Sequence, residues 1–239
     1  MPSQLQGLNA AALSCLDSGD HSDLTIKCND RDFKVHRMVL CPQSPFFAKA
    51  VKKHAFEEGQ TGVISMNHDD PDAIEAMLQF LYTGDYNTEN LTMQNHLKIY
   101  ELADKVDVSA LKTLCEDKFN AMARNNWKDL SFPGCMKTAY DITPPGPSGE
   151  NLRSIVVKIA SENVKQLFQL DTGFKQMLAD VAELGADMVE FLAKSSSQSD
   201  NANSSRSDCS YLCRHCWSSF TIAVRCGFDV SCPRCGGAN

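Results

Sequence analysis

The chain has 239 residues, of which 43% are hydrophobic, so it can bury one medium domain with appendages or two small domains. The net charge of -7 argues against wholesale attraction to nucleic acid or anionic membranes, although a small basic module could be present within this acidic average. The N-terminus lacks the regions of a signal peptide, and no stretch approaches the roughly 20 apolar residues of a membrane span. These features predict a soluble intracellular protein of the nucleus, the cytoplasm or both.

The first predicted element is a short amphipathic helix within residues 1–16. Leu5, Leu8, Ala12 and Leu16 fall on roughly one face of this helix. An apolar face of this kind needs a partner surface, which makes the helix a candidate interface between two copies of the chain.

Two short strands are predicted next. Leu24 to Cys28 and Phe33 to Val35 flank Asn29-Asp30, which is the pattern of a β-hairpin. Val63 to Met66 has the composition of a further short strand. Because helices follow without a repeated strand-helix-strand unit, the sequence predicts an α+β domain with a small sheet capped by helices.

Capping residues mark the start of two helices in this region. Ser44 is a hydroxyl N-cap followed by Pro45, which suits the first helical position. Asp70-Pro71 starts a second helix with apolar residues at helical spacing, and Gly84 closes it. Between the hairpin and Ser44, the residues Met38 to Leu40 are predicted to form an apolar turn. Apolar stripes predict further helices around 99–106 and 111–119.

Four separated motifs in this region resemble the BTB/POZ domain over about residues 17–125. They are D-L-T-I at Asp23 to Ile26, F-x-V-H-R at Phe33 to Arg37, S-P-F-F at Ser44 to Phe47 and F-L-Y-T-G-D-Y at Phe80 to Tyr86. The resemblance implies the BTB/POZ fold and a role in protein-protein interaction, often as a homodimer. Many members resemble adaptors that bring substrates to a cullin-type ubiquitin ligase.

The resemblance also implies two pairs of protein-binding residues. Asp23 and Arg37 match the charged pair that shapes a partner groove in BTB repressors, although they could instead form a buried pair or a cap that fixes the strand and turn. Phe56-Glu57-Glu58 resembles the hydrophobic-x-Glu motif through which BTB adaptors contact a cullin, with Phe56 as the apolar anchor and Glu58 as the orienting acid. The alternative is that Phe56 folds back onto its own domain. His36 is predicted to be a structural histidine.

Residues 126–194 are predicted to be a helical extension of this domain, because apolar residues recur at helical spacing from Leu152 onwards. A loop rich in proline and glycine at 141–149 precedes those helices. The segment 195–208 lacks large apolar residues, so it is predicted to be a flexible linker.

The last predicted module, at 209–239, is organised by cysteines. Cys213-x-x-Cys216 and Cys232-x-x-Cys235 are separated by fifteen residues, which is the spacing of a structural zinc site with four thiolate ligands. A module of this size is too small to fold on a hydrophobic core, so bound Zn²⁺ would supply its stability. The module resembles a zinc ribbon.

Other interpretations of this tail stay open. Cys209, His215 and Cys226 could serve a second metal, although seven donors are too few for two independent four-ligand sites. Two disulfides could replace the metal, but the rest of the chain is predicted to be intracellular. A RING-type ligase domain would need about eight ligands.

A second possible function is that of a transcription or chromatin regulator whose tail contacts nucleic acid. The segment 206–239 carries arginines and aromatic residues, which suit phosphates and bases, but its four arginines do not form a dense basic patch. An interaction protein is therefore the preferred prediction. The chain has no phosphate loop, nucleophile elbow or other catalytic pattern, so it is not predicted to be an enzyme.

Overall fold

The computed structural model describes residues 2–52, 57–145, 150–170, 172–202, 208–212 and 219–223. Its helices are α1 (Pro2–Ser18), α2 (Arg37–Leu40), α3 (Pro45–Ala50), α4 (Glu57–Thr61), α5 (Pro71–Thr83), α6 (Met93–Lys105), α7 (Ser109–Asn126), α8 (Phe132–Ile142), α9 (Glu150–Glu162), α10 (Val164–Gln169), α11 (Phe174–Asp180) and α12 (Ala182–Ala202). Its strands are β1 (Leu24–Cys28), β2 (Arg31–Val35), β3 (Val63–Ser65), β4 (Asp208–Leu212) and β5 (Ser219–Ala223). The chain divides into two compact units, Met1–Met188 and Val189–Asn239.

The first unit contains a three-stranded sheet in the order β2-β1-β3. β1 and β2 are antiparallel, with Leu24 opposite Val35, and Asn29 enables the tight connection by adopting a positive φ of 51°. The predicted hairpin and the mixed helix-rich fold with a small sheet are therefore confirmed. β3 pairs with β1 in parallel, with Thr25 opposite Val63, and this pairing was not predicted.

The predicted caps of α5 are present in the structure. The Asp70 carboxylate accepts hydrogen bonds from the main-chain N–H groups of Asp72 and Ala73, at 3.0 and 3.2 Å. Gly84 ends the helix with a left-handed φ of 81°. Most of α5 is buried, because its apolar residues are the centre of the domain core, including Ile74, Met77, Leu78 and Leu81.

Helices α6 and α7 pack against each other and carry the helical extension. Gln94 of α6 donates a hydrogen bond to Thr138 of α8 at 3.2 Å, while α7 packs against α9. Helix α8 was not predicted, although Pro133 lies in its first turn, where proline is tolerated. The extension therefore begins earlier in the chain than its apolar stripes indicated.

The structure corrects two local predictions. Residues Met38 to Leu40, expected to be a turn, belong to the one-turn helix α2, of which Leu40 alone is buried. Residues Ser195 to Ala202 of the predicted flexible linker belong to α12, while residues 203–207 lie outside the described part of the chain. Serine, asparagine and aspartate cost only a few tenths of a kcal/mol each in a helix, roughly, and a helix already formed before Ser195 removes the cost of nucleation.

Membrane insertion has no structural support in the described part of the chain, where no helix is both long and apolar enough to cross a bilayer.

Candidate protein-binding surface

Helix α3 is held in place by its N-cap residue. Ser44 is fully buried, and its hydroxyl oxygen accepts a hydrogen bond from the main-chain N–H of Phe47 at 3.3 Å. The same hydroxyl donates to the carbonyl oxygen of Val106 at 2.6 Å, directly after α6. One side chain therefore caps α3 and joins it to the end of α6, which fixes the outer surface of α3.

A cleft of about 390 Å³ lies beside α3. Apolar side chains from α3 and β3 line it together with charged side chains from α3, α4 and the end of α6. The lining residues are Pro45, Phe46, Lys49, Ala50, Glu58, Ile64, Ser65, Lys105 and Asp107. An apolar surface with charges of both signs beside it suits a protein partner that inserts an apolar side chain and forms polar contacts around it.

One residue of the predicted cullin motif, Glu58, lies at this cleft. Glu58 is half-buried in α4 and lines the cleft, and its carbonyl oxygen accepts a hydrogen bond from the N–H of Gly62 at 2.9 Å. Gly62 has a φ of 67°, which allows the chain to turn from α4 into β3. Phe56 lies outside the described residues, so the structure gives Glu58 a place in the cleft and leaves Phe56 a prediction from the sequence.

Asp23 and Arg37 are brought together, as the sequence suggested. The Asp23 carboxylate accepts a hydrogen bond from the main-chain N–H of Arg37 at 2.8 Å, and the Arg37 Nε donates to the Asp23 carbonyl oxygen at 3.1 Å. Asp23 thus caps the first turn of α2, while Asp23 remains exposed and Arg37 half-buried. The contacts are those of the predicted cap, and a role in partner binding stays a prediction.

His36 has the structural environment that the sequence predicted. It is 8% exposed, and its Nδ1 lies 2.7 Å from the Tyr82 hydroxyl. Its Nε2 lies 2.8 Å from the carbonyl oxygen of Asp20. Because both ring nitrogens are engaged, His36 joins the turn before β1 to α5 and is not available for chemistry on a ligand.

Helix α1 packs against α5 and also exposes apolar residues. Asn9 donates a hydrogen bond to the carbonyl oxygen of Thr83 at 3.1 Å. Leu8 is 67% exposed, and Met38 in α2 is 81% exposed. Large exposed apolar side chains on two helices suit a protein-protein contact.

The predicted metal ligands Cys213, Cys216, Cys232 and Cys235 lie outside the described residues. The strands β4 and β5 are antiparallel neighbours with Leu212 opposite Ser219, so Cys213 and Cys216 belong to the segment that connects two paired strands. Within the described residues, no group of histidine, cysteine or carboxylate side chains is arranged to hold a metal ion.

Comparison with known proteins shows which domain family the first part of the chain matches. The BTB/POZ domain family model matches residues 13–123. BTB and MATH domain-containing protein 42 of Caenorhabditis elegans is 34% identical over 96 residues, which are 40% of this chain and 23% of that protein. Kelch-like protein 40a of Danio rerio is 31% identical over 100 residues, covering 42% of this chain and 16% of that protein.

One relative matches beyond this domain. BTB/POZ and MATH domain-containing protein 5 of Arabidopsis thaliana is 25% identical over 207 residues, which are 80% of this chain and 48% of that protein. The chain thus spans less than half the length of these curated relatives. The mixed, helix-rich fold with a small three-stranded sheet is consistent with this match, and the chain contains a BTB/POZ domain at residues 13–123.

Proposed function

We propose that the chain is a protein-interaction protein whose BTB/POZ domain acts as an adaptor for a cullin-type ubiquitin ligase. The observation that carries the proposal is the cleft beside α3, because Glu58 of the hydrophobic-x-Glu motif lines it within a BTB/POZ domain. The presence of a BTB/POZ domain also supports an interaction role over an enzymatic one.

The cleft supplies a physical basis for such binding. An apolar side chain of the partner would lose its contact with water against Phe46 and Ile64, which line the cleft. Lys49, Glu58 and Asp107 also line the cleft, so charges of both signs lie where a partner's charged groups would meet them. Charged groups around an apolar contact favour one orientation and suppress others.

Pull-down of the full chain by a recombinant cullin tests the proposal. Phe56→Ala and Glu58→Ala should each weaken binding by about tenfold or more, which is the size of effect expected when an interface anchor is truncated. Glu57→Ala is the matched control, because position 57 is the variable residue of the motif, and this variant should bind like the wild type. Absence of binding by the wild type would remove the adaptor role.

We also propose that two copies associate through α1, with the exposed residue Met38 of α2 contributing to the contact. The proposal is supported by the exposed apolar side chains of Leu8 and Met38. Sedimentation at several concentrations should show that copies associate, and Leu8→Asp should weaken this association because it removes the contact through α1. A wild-type chain that stays monomeric at all concentrations would contradict this proposal while leaving the cullin test unaffected.

The C-terminal cysteines are proposed to bind one structural Zn²⁺ through Cys213, Cys216, Cys232 and Cys235. The support comes from the paired C-x-x-C spacing and from the antiparallel strands that the first pair connects. Zinc in this site would stabilise the tail and would take no part in a reaction.

A further inference from the structure

The outer edge of β2 has unused main-chain groups, as the sheet order shows. β2 is the outermost strand on one side of the sheet, beside β1. The N–H of Thr25 donates to the carbonyl oxygen of Gly62 at 2.9 Å, and the carbonyl oxygen of Lys27 accepts from the N–H of Met66 at 2.7 Å. The main-chain groups of Thr25 and Lys27 therefore face β3, and those of the alternating residues of β1 face β2.

The register identifies which β2 residues have outward main-chain groups. The β1 residues that face β2 lie opposite Arg31, Phe33 and Val35. The main-chain N–H and C=O groups of Asp32 and Lys34 consequently point away from the sheet. Neither residue has a main-chain hydrogen bond to another element within the described part of the chain.

We propose that this edge pairs with the same edge of a second copy, in antiparallel orientation and centred on Phe33. In that register Asp32 lies opposite Lys34 of the second copy, and Lys34 lies opposite Asp32 of the second copy. These residues carry the outward N–H and C=O groups, so each opposed pair exchanges two main-chain hydrogen bonds. Phe33 then meets its own counterpart in the closely spaced position between the hydrogen-bonded pairs, where aromatic pairs are favourable.

The charges along the edge select this register. Asp32 and Lys34 are both exposed, and Asp32 has a half-exposed, 3.6 Å ion pair with Lys27. Charged residues usually protect an edge strand from pairing. Here the two outward positions have opposite signs, so the two-fold arrangement places an acid against a base at both of them.

A cleft of about 360 Å³ runs beside the strand, between the end of α1 and α5. Its lining residues are Leu16, Asp17, Ser18, Gly19, Arg31, Asp32, Phe33, Lys34, Glu75, Leu78 and Gln79. Arg31 on the same strand is already bound to Asp72 at 2.8 Å and to Glu75, and it stacks over Phe33 at 5.0 Å from the ring centroid. The cationic side chain next to Phe33 is thus held back from the edge.

This contact differs from the proposed association through α1. A chain with two different two-fold contacts links copies beyond a dimer. Joined copies would present several substrate-binding or partner-binding sites at once, which raises the strength of multivalent binding.

Charge reversal tests the proposal in the full chain, measured by sedimentation with Leu8→Asp present so that α1 does not contribute. Lys34→Glu opposes acid to acid, and Asp32→Lys opposes base to base, so each should raise the dissociation constant by about tenfold. An equimolar mixture of these two variants should restore association, because a pair made of one copy of each variant again places an acid opposite a base at both outward positions.

Lys34→Pro and Lys34→Ala test the main-chain hydrogen bonds. Proline removes the outward N–H without removing a bond to β1, and should abolish association. Alanine keeps the N–H and should retain more association than proline. Three outcomes would overturn the proposal: the Leu8→Asp chain does not associate, it associates as strongly as both charge variants do, or the mixture of the two variants does not recover association. None of these outcomes bears on cullin binding.

Discussion

His96 lies at the centre of a buried polar cluster between α6 and α7. It is 1% exposed, its Nδ1 lies 2.9 Å from the Tyr86 hydroxyl, and its Nε2 has no hydrogen-bond partner among the described residues. Tyr86 also donates to the Cys115 thiol at 3.6 Å, and the Lys118 ammonium lies 4.0 Å from the Tyr86 ring centroid. Burial, and secondarily the charge of Lys118, lowers the pKa of His96 to about 4.

This shift predicts that the domain loses stability in mild acid. The unfolded chain binds a proton at His96 below about pH 6.5, whereas the folded chain resists protonation down to about pH 4, so stability falls as the pH decreases between these values. The loss should approach about 3 kcal/mol, as expected for a shift of this size. Urea unfolding from pH 7 to pH 4 measures it. His96→Gln should flatten the profile, while substitution of the exposed His68 should leave it unchanged; an unaltered profile in His96→Gln would contradict the assignment.

At the scale of the element, Arg153 of α9 joins the end of α8 to α12. Its guanidinium donates to the Thr143 hydroxyl at 3.0 Å, to the carbonyl oxygens of Tyr140 and Thr143, and to the Glu183 carboxylate at 3.0 Å. It also stacks over the Tyr140 ring at 4.5 Å, and the Tyr140 hydroxyl donates to Asp187 at 2.5 Å. Since the Arg153 side chain is 13% exposed, three helices depend on one largely buried cation.

Loss of this cation should destabilise the helical extension. Arg153→Ala leaves buried carbonyl groups without a donor, and we expect the free energy of unfolding to fall by about 3 kcal/mol. Arg124→Ala removes an exposed arginine that lies 4.0 Å from Glu162, so its effect should stay below about 1 kcal/mol. Chemical unfolding followed by circular dichroism compares the two variants. An equal loss of unfolding free energy in the two variants would contradict the expectation that the buried Arg153 stabilises the fold more than the exposed Arg124.

The sequence predicted those elements whose signals are local. Ser44-Pro45 and Asp70-Pro71 fix helix starts by side-chain capping, and Gly84 fixes an end by its backbone conformation, so short motifs sufficed. The parallel pairing of β3 with β1 depends on residues distant in sequence, and no local pattern predicts it. For the candidate site, the sequence predicted the motif at residues 56–58. It could not predict the cleft that Glu58 lines, because α3, β3 and the end of α6 meet only in the folded domain.

At the scale of the whole molecule, the two compact units should differ in their dependence on metal. We expect one Zn²⁺ per purified chain by elemental analysis, and Cys232→Ser should abolish it, whereas Cys15→Ser in α1 should not. A chelator should unfold the tail but leave the unfolding midpoint of the BTB/POZ domain unchanged, because that domain has its own hydrophobic core. A chain that contains no zinc, or a domain that melts when the metal is removed, would contradict this division.

The position of β3 has a consequence for synthesis on the ribosome. β1 and β2 are adjacent in sequence and can pair as soon as both have emerged from the ribosome. The other edge of β1 can pair with β3 only after Val63 has also emerged. During that interval the nascent chain exposes a strand edge on each side of the hairpin, and such edges promote aggregation. Slowing translation just before the codon for Val63 should therefore lower the yield of native protein more than an equal delay after β3.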